Sequence, residues 1–160
     1  MIKAIIIDLS RVLVFPRQKN YRGRLTTLYN KFLHDPDKPF KKYLIFNTEL
    51  CDYIQVKKLN RIYDIFIFGA SPVLDAVECR TFLYDIVKGI YSSDRMGVKK
   101  YEPSAYRVLC SKLKLTPSEV LFIDNVRRNT DAAERAGLNT ITYRNNIQLK
   151  TEMTAFLNLI

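Results

Sequence analysis

Two aspartates stand where an acid needs a reason to be. In A-I-I-I-D-L-S-R-V-L-V-F, residues 4–15, an apolar run leads directly into Asp8. In V-L-F-I-D, residues 120–124, a second such run ends in Asp124. Removing a carboxylate from water is expensive, so an acid at the tip of a buried-type strand implies a use. Two acids brought from different strand ends to one crevice could hold a cation or supply a nucleophile. Either acid alone could simply cap the loop that follows it.

The elements that must position these acids follow from periodicity. Residues 3–8, 64–68 and 120–124 are short, β-branched-rich apolar runs of the kind buried on both faces of a parallel sheet, with weaker strands at 89–92 and 139–143. Between them, Tyr106, Leu109, Cys110 and Leu113 fall at helical spacing. Leu50, Tyr53 and Ile54 begin a second stripe, and Val73, Val77 and Leu83 a third. Thr116-Pro117-Ser118-Glu119 has the form of a capping box with Pro at the first helical position. Residues 130–136 form a small-residue helix stopped by Gly137. Alternating strands and helices predict an α/β fold: a three-layer, doubly wound parallel sheet with right-handed crossovers. Ligands of such sheets bind beyond the carboxyl ends of the strands, where Asp8 and Asp124 fall. Residues 16–45 break the alternation. They are rich in Lys and Arg, contain Pro16, Pro36 and Pro39, and hold one helix at about 22–33. They read as an insertion after the first strand within a single domain, 1–160.

Composition narrows the class. A 160-residue chain with 48% hydrophobic and 26% charged residues can bury a full core without staples. No apolar run approaches the ~20 residues of a membrane span, and Asp8 and Arg11 interrupt any signal-peptide core. Cys51, Cys79 and Cys110 are widely spaced and read as reduced, buried thiols of a cytoplasmic protein. The net charge of +10 favours anionic ligands. The basic residues are scattered, however, with no nucleic-acid-binding signature among them, so a solvated basic surface is the stronger reading and a polyanion partner the weaker.

Four segments together resemble the haloacid dehalogenase-like hydrolase superfamily, in its phosphatase-type branch with a reduced cap after the first strand. They are I-I-I-D-L-S-R-V-L-V (5–14), I-F-G-A-S-P (67–72), Y-S-S-D-R-M-G-V-K-K-Y-E-P-S-A-Y (91–106) and V-L-F-I-D-N-V-R-R-N-T-D-A-A-E-R-A-G-L (120–138). The resemblance implies an aspartyl-phosphate mechanism on a small phosphomonoester with Mg²⁺, in which Asp8 is the nucleophile. It places Ser10 where relatives carry the acid that protonates the leaving group, while the Ser10 backbone carbonyl would still bind metal. Lys100, with Lys99 as the weaker choice, becomes the clamp on nucleophile and phosphoryl oxygens. Asp124 and Asn125 become the remaining metal ligands, Asn125 standing where a second acid is usual. Ser71 binds phosphate, although Gly69 or Ala70 could fill that place. Asn129 would cap the helix after Asp124. Arg11, Arg127 and Arg128 share the two acid-bearing loops and either join an anion site, Arg11 foremost, or point outward. Degenerate first and fourth motifs leave two readings open. One is an inefficient phosphatase; the other is an impaired scaffold that binds a phosphorylated ligand or a macromolecule.

Overall fold

The apolar runs become one five-stranded parallel sheet. A computed structural model describes every residue except Pro36, Lys38 and Ile160, so Pro36 of the proline-marked insertion lies outside the described residues. In chain order the elements are β1 (Ala4–Ile7), β2 (Val14–Pro16), α1 (Leu25–Leu33), β3 (Leu44–Phe46), α2 (Thr48–Val56), α3 (Leu59–Ile62), β4 (Asp64–Gly69), α4 (Val77–Leu83), β5 (Gly89–Ser92), α5 (Pro103–Leu113), β6 (Val120–Asp124), α6 (Arg127–Arg135), β7 (Asn139–Thr142) and α7 (Asn146–Leu157). The sheet order is β5-β4-β1-β6-β7. Ile7 lies beside Ile67 on one side and Ile123 on the other. The chain builds outward from β1 through β4 and β5, then returns to lay β6 and β7 on the opposite side. The switch point therefore falls between β1 and β6, the two strands that carry Asp8 and Asp124.

Strict alternation along the strands divides the core in two. Ile5, Ile7, Ile65, Ile67, Leu121 and Ile123 face Leu50, Ile54, Leu83, Leu149 and Met153. Ala4, Ile6, Phe66, Phe68, Val120 and Phe122 face α5 and α6 through Tyr106, Leu109, Ala132 and Ala133. Both faces are covered, which is why the central strands read as unbroken apolar runs. Among the described residues, no helix is long and apolar enough to cross a membrane.

Several local expectations change. The stripe Val73, Val77, Leu83 is not one helix. Val73 lies in a 3-10 turn, Pro72–Asp75, and the extended Ala76 (ψ 129°) resets the periodicity before α4. Val77 is consequently 68% exposed. The helix expected from residue 22 begins at Leu25. Two further features lie outside the expected alternation: the short antiparallel pair β2–β3, which brackets the insertion, and the carboxyl-terminal α7. The Thr116–Glu119 capping box is present on a 3-10 turn, and Gly137 takes φ +97°, a left-handed conformation suited to glycine.

The insertion sits on the sheet domain through a run of rings. Tyr29, Phe32, Phe40 and Phe46 contact one another in series, and Phe46 stacks on Phe82 of α4 at 4.1 Å between centroids. Small side chains play the converse part on the other face. Ala132 and Ala133 are fully buried and let α6 lie close to the sheet. We expect Ala133→Leu to overpack this contact and destabilise the protein by about 1–3 kcal/mol. Urea unfolding would show it as a lower midpoint with an unchanged slope.

Candidate active site

At the switch point, the β1–β6 pairing puts the two acids side by side. The Asp8 amide donates to the Ile123 carbonyl at 2.8 Å, one residue before Asp124. Lys100, in the loop leading to α5, reaches between them. Its Nζ lies 2.7 Å from Asp8 Oδ1 and 2.7 Å from Asp124 Oδ2. All three groups are buried. The Lys100 ammonium is also flanked by the Phe68 and Phe122 rings, at 5.6 and 5.5 Å from their centroids. Tyr106, buried on α5, donates its hydroxyl to the Lys100 carbonyl at 2.6 Å and fixes the backbone from which the side chain departs.

Two carboxylates thus share one ammonium. Burial raises the pKa of Asp8 most, the Lys100 charge opposes that, and the charge of Asp124 adds to it; the net result is about 6, against 3.8 ordinarily. For Lys100, burial works against the charged form, but the two carboxylates outweigh it and push its pKa up. The lysine is therefore a fixed positive charge rather than a proton donor.

Asp124 is held on every side. Its Oδ1 accepts from the Val126 amide at 2.8 Å, and its Oδ2 accepts from Asn129 Nδ2 at 3.0 Å as well as from Lys100. This corrects the expected role of Asn129. The residue at the cap position of α6 is Val126, without a side-chain cap, and Asn129 points back to orient the acid. The signal in the sequence was its spacing from Asp124, five residues on and one helical turn back over the strand end.

Above this floor opens a hollow of about 650 Å³. Asp8, Ser10, Arg11, Ser71, Lys100 and Asn125 all line it, so the structure brings the sequence candidates to one place, with Asp124 beneath. Each has a distinct local setting. Ser71 Oγ accepts from the Val73 amide at 3.2 Å and lies 3.5 Å from Thr26 Oγ1 of the insertion. Gly69 approaches more closely: a Cβ added there would meet Asp8 Oδ1 at 3.4 Å. Arg11 lines the wall, yet its guanidinium donates to the carbonyls of Tyr21 and Gly23 at 3.1 and 2.8 Å, fastening the insertion to the β1 loop. Arg11 does this from φ +61°, a left-handed conformation that costs a non-glycine residue energy. Lys99 is exposed beside the ring of Tyr101. Arg128 stacks on that ring at 3.9 Å, whereas Arg127 turns outward to pair with Asp131. Arg24, Leu25 and Thr26 form the insertion's share of the wall. Among the described residues, no group of three or more His, Cys, Asp or Glu could hold a metal. The floor instead offers oxygen donors alone: two carboxylates, the Asn125 amide and the backbone at Ser10. That donor chemistry suits a hard cation such as Mg²⁺, though with little charge.

The raised pKa of Asp8 has a sign that can be tested in metal-free protein. A folded-state proton held more tightly than in the unfolded chain stabilises below about pH 3.8 and ceases to as pH rises through about 6. Asn cannot ionise, and Lys100 stays charged throughout this window. The melting temperature of Asp8→Asn relative to wild type should therefore rise between pH 4 and 7. The shift corresponds to roughly 3 kcal/mol, or several degrees. Thermal melts in chelator at three pH values measure it; a pH-independent difference would contradict the assignment.

Comparison with known proteins agrees with this geometry at the level of the fold. No family model matches the chain. Enolase-phosphatase E1 of Methylococcus capsulatus is 42% identical over 50 residues, which is 31% of this chain and 22% of that protein. Enolase-phosphatase E1 of Frankia alni is 35% identical over 74 residues, 46% of this chain and 28% of that protein. These matches span less than a third of the relatives' length. A predicted HAD-like family hydrolase of Porphyromonas gingivalis superposes over 100% of both chains with a TM-score of 0.69 and 21% identity. A HAD-family enzyme of Bacteroides thetaiotaomicron, solved with magnesium and inorganic phosphate, superposes over 90% of this chain and 95% of its own, with a TM-score of 0.64 and 18% identity. The backbone path that brings Asp8, Lys100 and Asp124 together is the one these enzymes share, and the chain has the fold of the haloacid dehalogenase-like hydrolase superfamily.

Proposed function

We propose that the protein is a magnesium-dependent phosphohydrolase that takes the phosphoryl group of a small phosphorylated metabolite onto Asp8. The observation that carries this reading is the Lys100 ammonium, 2.7 Å from both carboxylates, on the floor of an open hollow. A buried carboxylate beside a fixed positive charge is oriented to attack an electrophile that brings negative oxygens of its own.

The reaction has two displacements. An Asp8 oxygen attacks phosphorus, the bond from phosphorus to the leaving oxygen breaks, and an aspartyl-phosphate forms. Water then attacks phosphorus, the bond to Asp8 breaks, and the carboxylate and inorganic phosphate are released. Lys100 holds Asp8 in place and balances charge on the phosphoryl oxygens in both steps. Asp124, locked by Val126, Asn129 and Lys100, together with Asp8, Asn125 and the Ser10 carbonyl, would hold Mg²⁺. The bound cation supplies charge neutralisation for the phosphoryl oxygens. Ser71, on the wall of the hollow, would bind the phosphoryl group. Arg11 shapes the wall and, by its two carbonyl contacts, acts more through the insertion than on the ligand. Residues 16–45 serve as a reduced cap that leaves the hollow open. Free, buried cysteines, with thiols pushed up to about 11 or 12 by burial, suit a reducing cytoplasm.

A second reading, a scaffold that binds a phosphorylated ligand without turnover, is favoured by Ser10, Asn125 and the net charge of +10. Activity separates the two. Wild-type protein should hydrolyse acetyl phosphate or p-nitrophenyl phosphate at high Mg²⁺ through a hydroxylamine-sensitive phosphoenzyme, and Asp8→Asn should abolish both signals. Undiminished activity in Asp8→Asn would exclude the mechanism. Stabilisation by phosphate with no turnover would select the scaffold.

Restoring the charge at the fourth motif tests the metal assignment. Asn125→Asp should lower the Mg²⁺ concentration for half-maximal activity by about tenfold or more, because a carboxylate is the better ligand for a hard cation. An unchanged magnesium titration would remove Asn125 from the metal site.

A further inference from the structure

We propose that the hollow is built for phosphoryl donors whose leaving group departs as a stable anion: acyl phosphates, phosphoanhydrides and esters of acidic hydroxyls such as phenols, rather than esters of ordinary alcohols. The inference rests on Asp8 accepting the phosphoryl group and names the substrate class of that same site.

The first observation is the lack of a proton where one is needed. When an Asp8 oxygen bonds to phosphorus, the electron pair of the breaking bond goes to the leaving oxygen. An alkoxide must be protonated as it leaves; a carboxylate, phosphate or phenolate need not be. Two residues beyond Asp8, the wall presents the hydroxyl of Ser10. Lys100 is pinned as a cation between two carboxylates, and Asp124 accepts three hydrogen bonds in a fully buried position. Neither is placed to hand over a proton. Asp94 is the other carboxyl in the wall. It lies in the turn that follows β5, two strands from β1 in the sheet. It is exposed, and its side chain makes no hydrogen bond or ion pair among the described residues that would aim it at Asp8.

The second observation is where positive charge has been put. The rim carries Arg24 from the insertion and Lys99 beside Tyr101, with Arg128 stacked on that ring at 3.9 Å. Among the described residues, Arg24 and Arg128 have no ion-pair partner. Cations at the mouth stabilise negative charge that appears on, or is carried by, a departing group. They do nothing for a neutral alcohol. A missing proton donor and a cationic exit point to the same donors.

The test is the dependence of kcat/KM on leaving-group acidity, since this constant reports the phosphoryl-transfer step and is blind to later hydrolysis of the aspartyl-phosphate. Wild-type protein is assayed with Mg²⁺ against acetyl phosphate, a series of substituted phenyl phosphates, and glycerol phosphate. The expected result is a steep fall as the leaving group becomes less acidic, with acetyl phosphate far above glycerol phosphate. Ser10→Asp should narrow the ratio of those two by about 10²–10⁴-fold, the usual worth of a positioned general acid, while Ser10→Asn leaves the steep dependence in place. A shallow dependence in wild type would overturn the proposal yet leave Asp8 catalysis standing. So would a steep dependence that appears only in Asp94→Asn, which would make Asp94 the acid. Wild type that turns over no member of the series, acetyl phosphate included, would remove the underlying hydrolase reading and this inference with it.

Discussion

One ammonium shared by two buried carboxylates is the constraint to which the rest of the structure answers. Lys100, Asp8 and Asp124 carry a net single negative charge inside a wall of aromatic rings and strand ends. Burying three charges is unfavourable unless each is paired and hydrogen-bonded. Removing one member of such a cluster typically costs about 3–5 kcal/mol, because the others are left uncompensated. Hydrophobic residues of the same volume would pack more cheaply. Retention of the charges therefore speaks for use rather than for stability, and the perturbed Asp8 carboxyl is the kind of group that gathers at reactive sites.

The fold around the triad exists to keep those distances. β1 and β6 are neighbours only because the chain crosses the sheet between β5 and β6, and their register leaves the two acids level. α5 sends Tyr106 back under Lys100. α6 approaches closely enough for Asn129 to reach Asp124, which its buried alanines permit. The insertion has a looser relation to the floor. It is attached by stacked rings to α4 and by Arg11 to the β1 loop, and it contributes only rim and wall. A rigid floor on the sheet beneath a wall built partly from a loop-rich insertion is the division by which scaffolds commonly present sites.

Much of this was legible in the sequence because the central strands are buried on both faces and need no partner information to be recognised. The five runs correspond to β1, β4, β5, β6 and β7, and the tips of β1 and β6 announced themselves as acids. What was not legible depends on contacts between distant residues. β2 and β3 are three residues each and exist through pairing across almost thirty intervening positions. Val77 looked like core until the extended Ala76 broke the register. α7 did carry a signal: Leu149, Met153 and Leu157 recur every fourth residue after Asn145, whose side chain caps the helix. The preference for Lys100 over Lys99 rests, in the sequence, on the resemblance alone; its physical reason, that Lys100 faces the acids while Lys99 is exposed, is visible only in the structure. Ser71, Gly69 and Ala70 remain distinguished by position alone, with Ser71 turned partly toward its own loop.

The two departures from the superfamily's usual acids fall where the fold can tolerate them. The turn from Leu9 to Val14 is closed without the Ser10 side chain: the Leu9 carbonyl accepts from Leu13 and Val14, the Arg11 amide donates to the Val14 carbonyl, and Asn47 Nδ2 donates to the Val12 carbonyl. Neither the Ser10 nor the Asn125 side chain makes a hydrogen bond among the described residues. Replacing an acid at either place alters the chemistry of the hollow and leaves the scaffold untouched. Asp124 and Lys100 are different, since each satisfies more than one partner and its loss would strand a buried charge. Substitution at a site of this kind is thus filtered by structural engagement. A change at a position without such engagement alters the chemistry of the hollow before it alters the fold.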